Sequence, residues 1–136
     1  MELKHQLTSD GRDYQVKEYK LPLSFSEITI QISKIGNDYQ ILLFGGECPH
    51  IGCTVLAVPR NSLTGNGTSS STSSVLNLTG HKDEFLCRLL AEKISAKEHS
   101  IVSCSGGFHV DHITQEQITE VYETVQHFAE TWHTEY

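Results

Sequence analysis

Two short stretches hold most of the side chains that could do chemistry. In "LLFGGECPHIGC", residues 42–53, a glycine pair is followed by Cys48 and His50; in "SCSGGFHVDHIT", residues 103–114, a second pair is followed by His109, Asp111 and His112. Imidazole and carboxylate together suit zinc, manganese or iron. On an extended chain, however, His109 and Asp111 point to one side and His112 to the other, so at most two of the three converge. Cys48 and His50 could act as a nucleophile–base pair, but only Pro49 separates them and no third group orients the ring. Asp111 also precedes a helix and can help cap its first turn. Glycine pairs at strand ends remove the Cβ and let a second backbone, or a ligand, come close. If the two strand ends share one edge of a sheet, they wall one pocket; otherwise the chain simply turns twice.

A second group of residues suits an anion. Residues 64–74 are almost wholly Gly, Ser, Thr and Asn, a composition that reads as a flexible loop. Its hydroxyls and backbone N–H groups suit phosphate oxygens. Arg60 before the loop can clasp a phosphate through two parallel hydrogen bonds, and Lys82 adds charge at a helix start. Phe44 and Phe108 flank the glycine pairs and could stack on a flat ring, or simply fill the core. A planar aromatic ligand with a phosphate tail would use all of these. Neither a Gly-x-x-x-x-Gly-Lys-Ser/Thr loop nor a Gly-x-Gly-x-x-Gly turn is present, so the common nucleotide folds lack support.

The elements that must position these groups read as follows. Ile28, Ile30 and Ile32 alternate with polar residues in one strand; Tyr39, Ile41 and Leu43 share a face of a second, across the turn "IGND". "CTVLAVP" (53–59), "SVLNL" (74–78) and "SIVSCSGG" (100–107) are further strands. A helix from His81 to about Lys97 carries a stripe of Phe85, Leu86, Leu89, Leu90 and Ile94. A last helix, about Gln115 to Trp132, carries Ile118, Val121, Tyr122, Val125, Phe128, Ala129 and Trp132, and Thr114 with Gln117 makes a capping box at its start. The order predicts an α+β fold: a two-layer, mixed or antiparallel β-sheet with two helices on one face. Leu42 and Phe44 leave the second face partly apolar, which predicts a homodimer. Residues 1–24 are polar and weakly patterned and are expected to be an N-terminal arm before one domain, 25–136.

The 136 residues carry a formal charge of -7, with 38% apolar residues. No basic stripe is available for a nucleic acid, so that partner is excluded. The absence of an apolar leader or membrane-length run predicts a cytoplasmic protein. Four cysteines in that compartment are expected to stay reduced, with Cys87 and Cys104 as small buried apolar side chains.

Taken together, "PHIGCTVLAVPRNSL", "SSSTSSVLNLTGHKDE" and "GGFHVDHIT" resemble the LpdD-like family of prenylated-flavin chaperones, the small accessory proteins of gallate decarboxylase and other UbiD-type decarboxylases. The resemblance runs from about Ile28 to Val125 and departs from the family pattern at Cys48 and Cys53. It implies a non-catalytic, usually dimeric α+β domain resembling proteasome-assembly chaperones. It also implies binding of prenylated FMN, or FMN, and its supply to the decarboxylase catalytic subunit, with a flavin prenyltransferase as a further partner. The family motif positions fall on His50, Gly52, Pro59, Arg60, Ser62, Ser71, Thr72, Ser73, His81, Gly106, His109 and Asp111. Arg60 and Ser71–Ser73 are expected at the phosphate, and His50 and His109 at the flavin edge. Two other readings compete: a structural decarboxylase subunit with no cofactor affinity, and a small metal-dependent enzyme built on His50, His109 and Asp111.

Overall fold

In the computed structural model, which describes residues 2–7, 13–61, 69–78 and 84–134, seven strands form one sheet with two helices on one side. The elements are β1 (Glu2–Leu7), β2 (Asp13–Pro22), β3 (Glu27–Ile35), β4 (Asp38–Gly46), β5 (Cys53–Asn61), β6 (Ser69–Asn77), α1 (Glu84–Glu98), β7 (Val102–His109) and α2 (Gln115–Thr131). Their order across the sheet is β1-β2-β3-β4-β7-β5-β6. Only β4 and β7 run parallel; every other pair is antiparallel. The result is the expected α+β two-layer domain.

The period-2 pattern explains the core. Ile28, Ile30 and Ile32 stand opposite Gly45, Leu43 and Ile41. The same face continues through Val102, Cys104 and Gly106 of β7 to Ala57, Val55 and Cys53 of β5. These positions are buried. α1 covers them with Leu86, Cys87, Leu90, Ala91 and Ile94, and α2 with Val121, Val125, Phe128 and Ala129. Cys87 and Cys104 are thus the inert core thiols expected of them; Cys53 is buried too, and Cys48 is exposed. Phe85 and Tyr122 leave the predicted stripes: both are exposed and stack on each other, centroids 6.1 Å apart.

Local chemistry sets the boundaries. Ile35 and Asp38 close the β3–β4 hairpin around Gly36 and Asn37, and Gly36 takes the positive φ (59°) that a II′ turn needs at its first central position. Thr114 and Gln117 form the capping box, each side chain bonding the other's backbone N–H. Beyond the last turn of α2, Trp132 is buried against Tyr39 and its Nε1–H donates to Tyr19 Oη at 2.8 Å. Lys97 of α1 donates to the carbonyls of Ala129 (2.6 Å) and Trp132, so a cation closes the C-terminal end of α2. Burial lowers the Lys97 pKa, while Glu98 and Glu130 pull it back up.

Two expectations are corrected. Residues 1–24 are not an arm: they include β1 and β2, which extend the sheet past β3. Charge hides β2 in the sequence, because Lys17 and Glu18 sit on opposite faces and both are buried, Glu18 accepting from Gln31 Nε2 at 2.6 Å. The Ser/Thr-rich stretch is not all loop either. From Ser69 it is β6, paired with β5 from Ser69 opposite Asn61 to Asn77 opposite Cys53. Small hydroxyl side chains are accepted there because alternate ones, Ser71 and Ser73, find partners under α1. The remainder, 64–68, lies outside the described residues.

Candidate functional site

The two glycine pairs meet. In the parallel register of β4 and β7, Leu43 lies beside Gly106, Phe44 beside Gly107, Gly45 beside Phe108 and Gly46 beside His109. Three of the four glycines serve backbone packing. A Cβ on Gly45 would lie 2.3 Å from Glu27 O, on Gly46 2.2 Å from His109 O, and on Gly106 1.6 Å from Leu43 O. The fourth differs. A Cβ on Gly107 would lie 2.6 Å from His50 Nε2, so the His50 imidazole rests in the space this glycine leaves.

Backbone bonds stitch this end together. Glu47 N–H donates to His109 O at 2.7 Å, Gly52 N–H to Gly106 O at 2.8 Å, and Leu78 N–H to Gly52 O at 2.9 Å. His50 Nδ1 lies 2.8 Å from Cys48 O. A carbonyl can only accept, so that nitrogen carries the hydrogen in the neutral ring. His109 Nε2 sits 2.8 Å from Asp111 Oδ1, with both side chains at least half exposed. Asp111 N–H donates in turn to Glu47 Oε2 at 3.3 Å.

His50, Gly107, His109 and Phe44 share the sheet face that the helices do not cover. Phe44 and Gly107 are register neighbours, and residues two apart on β7 share a face, about 7 Å apart. The site is therefore a half-buried ring, Phe44, beside one imidazole seated on Gly107 and another tied to a carboxylate. Thr54 and Ser105 continue it, their hydroxyls 3.0 Å apart. That pair was missed in the sequence, although strict alternation from Cys53 and Cys104 places both on the open face. Glu47 was also missed; only the fold brings it to Asp111.

The other expected residues separate from this group. Gly52 and Gly106 are with it, as backbone. Phe108 is on the covered face, edge-on to Phe25 at 6.3 Å, so it cannot face Phe44 across a ligand ring. Ser71 donates to Glu92 O at 3.0 Å and Ser73 to Glu92 Oε1 at 2.6 Å, both beneath α1. Arg60 and Thr72 are on the open face, with Arg60 Nε donating to Thr72 Oγ1 at 2.8 Å. They stand at the far end of β5, however, whose other end pairs with Gly106. Ser62, His81 and Lys82 lie outside the described residues. Among the described residues no three of His, Cys, Asp or Glu are grouped to hold a metal ion, and none of the helices is long and apolar enough to cross a membrane.

The chain is thus a two-layer α+β domain whose open sheet face gathers Phe44, His50, Gly107 and His109 at the paired ends of β4 and β7. Residues 24–136 match the prenylated flavin chaperone LpdD-like domain, and since this is most of the chain, the protein belongs to that family. The match begins just past β2, so the β1–β2 hairpin precedes it. No curated protein matches the chain.

Proposed function

We propose that this protein binds prenylated FMN without turning it over and hands it to a UbiD-type decarboxylase of gallate-like aromatic acids. The observation that carries the reading, beside family membership, is the convergence of the β4 and β7 ends. That convergence seats His50 on Gly107 next to the half-exposed ring of Phe44. Phe44 suits the flat face of an isoalloxazine. His50 suits one polar edge of the ring, and His109, its Nε2 2.8 Å from Asp111 Oδ1, stands on the same face as a second imidazole for that edge. The ring end of the ligand therefore fits. The phosphate end does not fit within one chain, because the guanidinium of Arg60 is at the opposite end of the open face and Ser71 and Ser73 are engaged beneath α1. The apolar residues of that open face, Leu42, Phe44, Leu56, Val58 and Leu76, support a homodimer formed through it.

The protein purified from cells that also express a flavin prenyltransferase should carry a flavin absorption band. The released small molecule should have the mass of prenylated FMN. Uptake should fall at least tenfold in His50→Ala and His109→Ala. A colourless protein from such cells would end the carrier reading.

A further inference from the structure

We propose that the flavin site is completed in trans: the open faces of two copies pack together, and the partner's Arg60 is brought to His50 and His109. This rests on the carrier reading above.

The first argument is distance. From Gly107 the register steps once to Gly106, across to Cys53, and seven positions along β5 to Arg60. At about 3.3 Å per residue, Arg60 and Gly107 are roughly 26 Å apart along the strands. Arg60 also leans onto Thr72 of β6, away from β7. The ring and phosphate of one FMN do not lie that far apart, so one chain cannot offer both groups to one ligand.

The second argument is symmetry. A two-fold axis lying between two stacked sheets and running across the strands reverses strand direction but keeps strand order. It lays the Arg60 end of β5 over the partner's Cys53 end, next to the partner's β7. The position midway between Arg60 and the level of His50 and Gly107 is Leu56. Leu56 points to the open face and is 46% exposed. About it, Val58, itself 44% exposed, falls over the partner's Thr54. The apolar middle of the face thus meets itself, and the polar ends meet their opposites.

Charge selects this axis over the alternative. Glu47 and Asp111 are exposed at one end of the face and Arg60 at the other. An axis along the strands would set Arg60 against Arg60 and carboxylates against carboxylates. The axis across the strands pairs unlike charges, which lowers the energy of association and fixes orientation. Five strands at about 4.8 Å by seven residues at about 3.4 Å give roughly 600 Å² in plane before side-chain relief. That is the scale of a standard interface, about 800 Å² per partner.

The test uses mixed dimers. Chains carrying Arg60→Ala and chains carrying His109→Ala are co-expressed with the flavin prenyltransferase under two different tags, and the doubly tagged dimer is isolated. In trans, that dimer has one intact site and one doubly broken site. It should hold half the flavin of the unaltered dimer, whereas each singly altered homodimer holds less than a tenth. Mixed dimers as empty as their parents overturn the proposal. A second readout needs no flavin. With exposed Cys48 changed to Ser, Arg60→Cys and His109→Cys chains are treated with a short bismaleimide. Linking confined to mixed dimers is expected; linking within Arg60→Cys homodimers, or no linking at all, overturns the arrangement. Linking of the cysteine variants in this pattern, with no flavin taken up by the unaltered protein, sinks the carrier reading and leaves the face-to-face dimer standing.

Discussion

Gly106 and Gly107 are adjacent, yet alanine at the two positions should have opposite consequences. At Gly107 the new methyl meets only the far end of a side chain, His50 Nε2 at 2.6 Å. The ring can swing away, at the cost of bonds such as that to Cys48 O, about 0.5–1.5 kcal/mol each. Replacing glycine also narrows the unfolded ensemble, which returns about 0.4–1 kcal/mol. Gly107→Ala should therefore change folding stability by no more than about 1 kcal/mol. It should still weaken flavin binding roughly tenfold, because a displaced His50 forfeits one hydrogen bond to the ligand, about 1.4 kcal/mol. At Gly106 the methyl would lie 1.6 Å from the backbone oxygen of Leu43, on a residue with φ 152°. No rotamer relieves that, so β4 and β7 must part, at a cost of roughly 3 kcal/mol or more. Urea unfolding gives the stabilities and flavin fluorescence the affinities. A Gly107→Ala protein that loses more than about 2 kcal/mol, or one that binds flavin unchanged, would refute the account of His50 seated on this glycine.

Further outcomes follow from the same contacts. Ser73→Ala should cost about 1 kcal/mol by removing the bond to Glu92, and leave flavin uptake unchanged; reduced uptake in a stably folded variant would return Ser73 to the phosphate site. Trp132→Phe should cost about 1 kcal/mol through the lost bond to Tyr19 Oη, read as a lower urea midpoint with unchanged m. The Ser24 hydroxyl and then its backbone N–H, each 2.6 Å from the Glu120 carboxylate, hold the Glu120 pKa below its ordinary value. A group lowered in the folded state stabilises above its unfolded pKa, and that contribution is lost as pH falls through the folded value. The unaltered protein should therefore lose stability relative to Glu120→Gln between about pH 5 and pH 2, and a constant difference would dismiss a stabilising role for the Ser24–Glu120 bonds.

Much of the fold was legible because periodicity survives in this chain. β3, β4, β5 and β7 alternate cleanly, and α2 announces its start with Thr114 and Gln117. β2 was not legible, since Lys17, which shares the inward face with Tyr19 and Leu21, and Glu18 on the opposite face are both buried charges. β6 was masked by composition: serine in a strand gains its partners from α1, which no local reading contains. The site was half legible. That two glycine pairs mark one place follows from β4 and β7 being neighbours, and this depends on a crossover through β5, β6 and α1 that spacing does not reveal.

The parallel pairing of β4 and β7 also explains why the site gathers where it does. Antiparallel neighbours bring the end of one strand to the start of the next, so their exit loops leave at opposite edges. Parallel neighbours release both chains at one edge. Here the two exits, Glu47–Gly52 and Val110–Thr114, carry His50, Glu47, Asp111 and His112, and the glycine pairs let the strands close on each other before they diverge. Arg60 belongs to an antiparallel strand that enters at this edge and leaves at the other. The same topology that concentrates the imidazoles therefore sends the guanidinium away. Within this sheet no loop rearrangement brings it back, because Arg60 is held in β5 by pairing with Ser70. In the proposed dimer, the reversed strand direction of the second copy would.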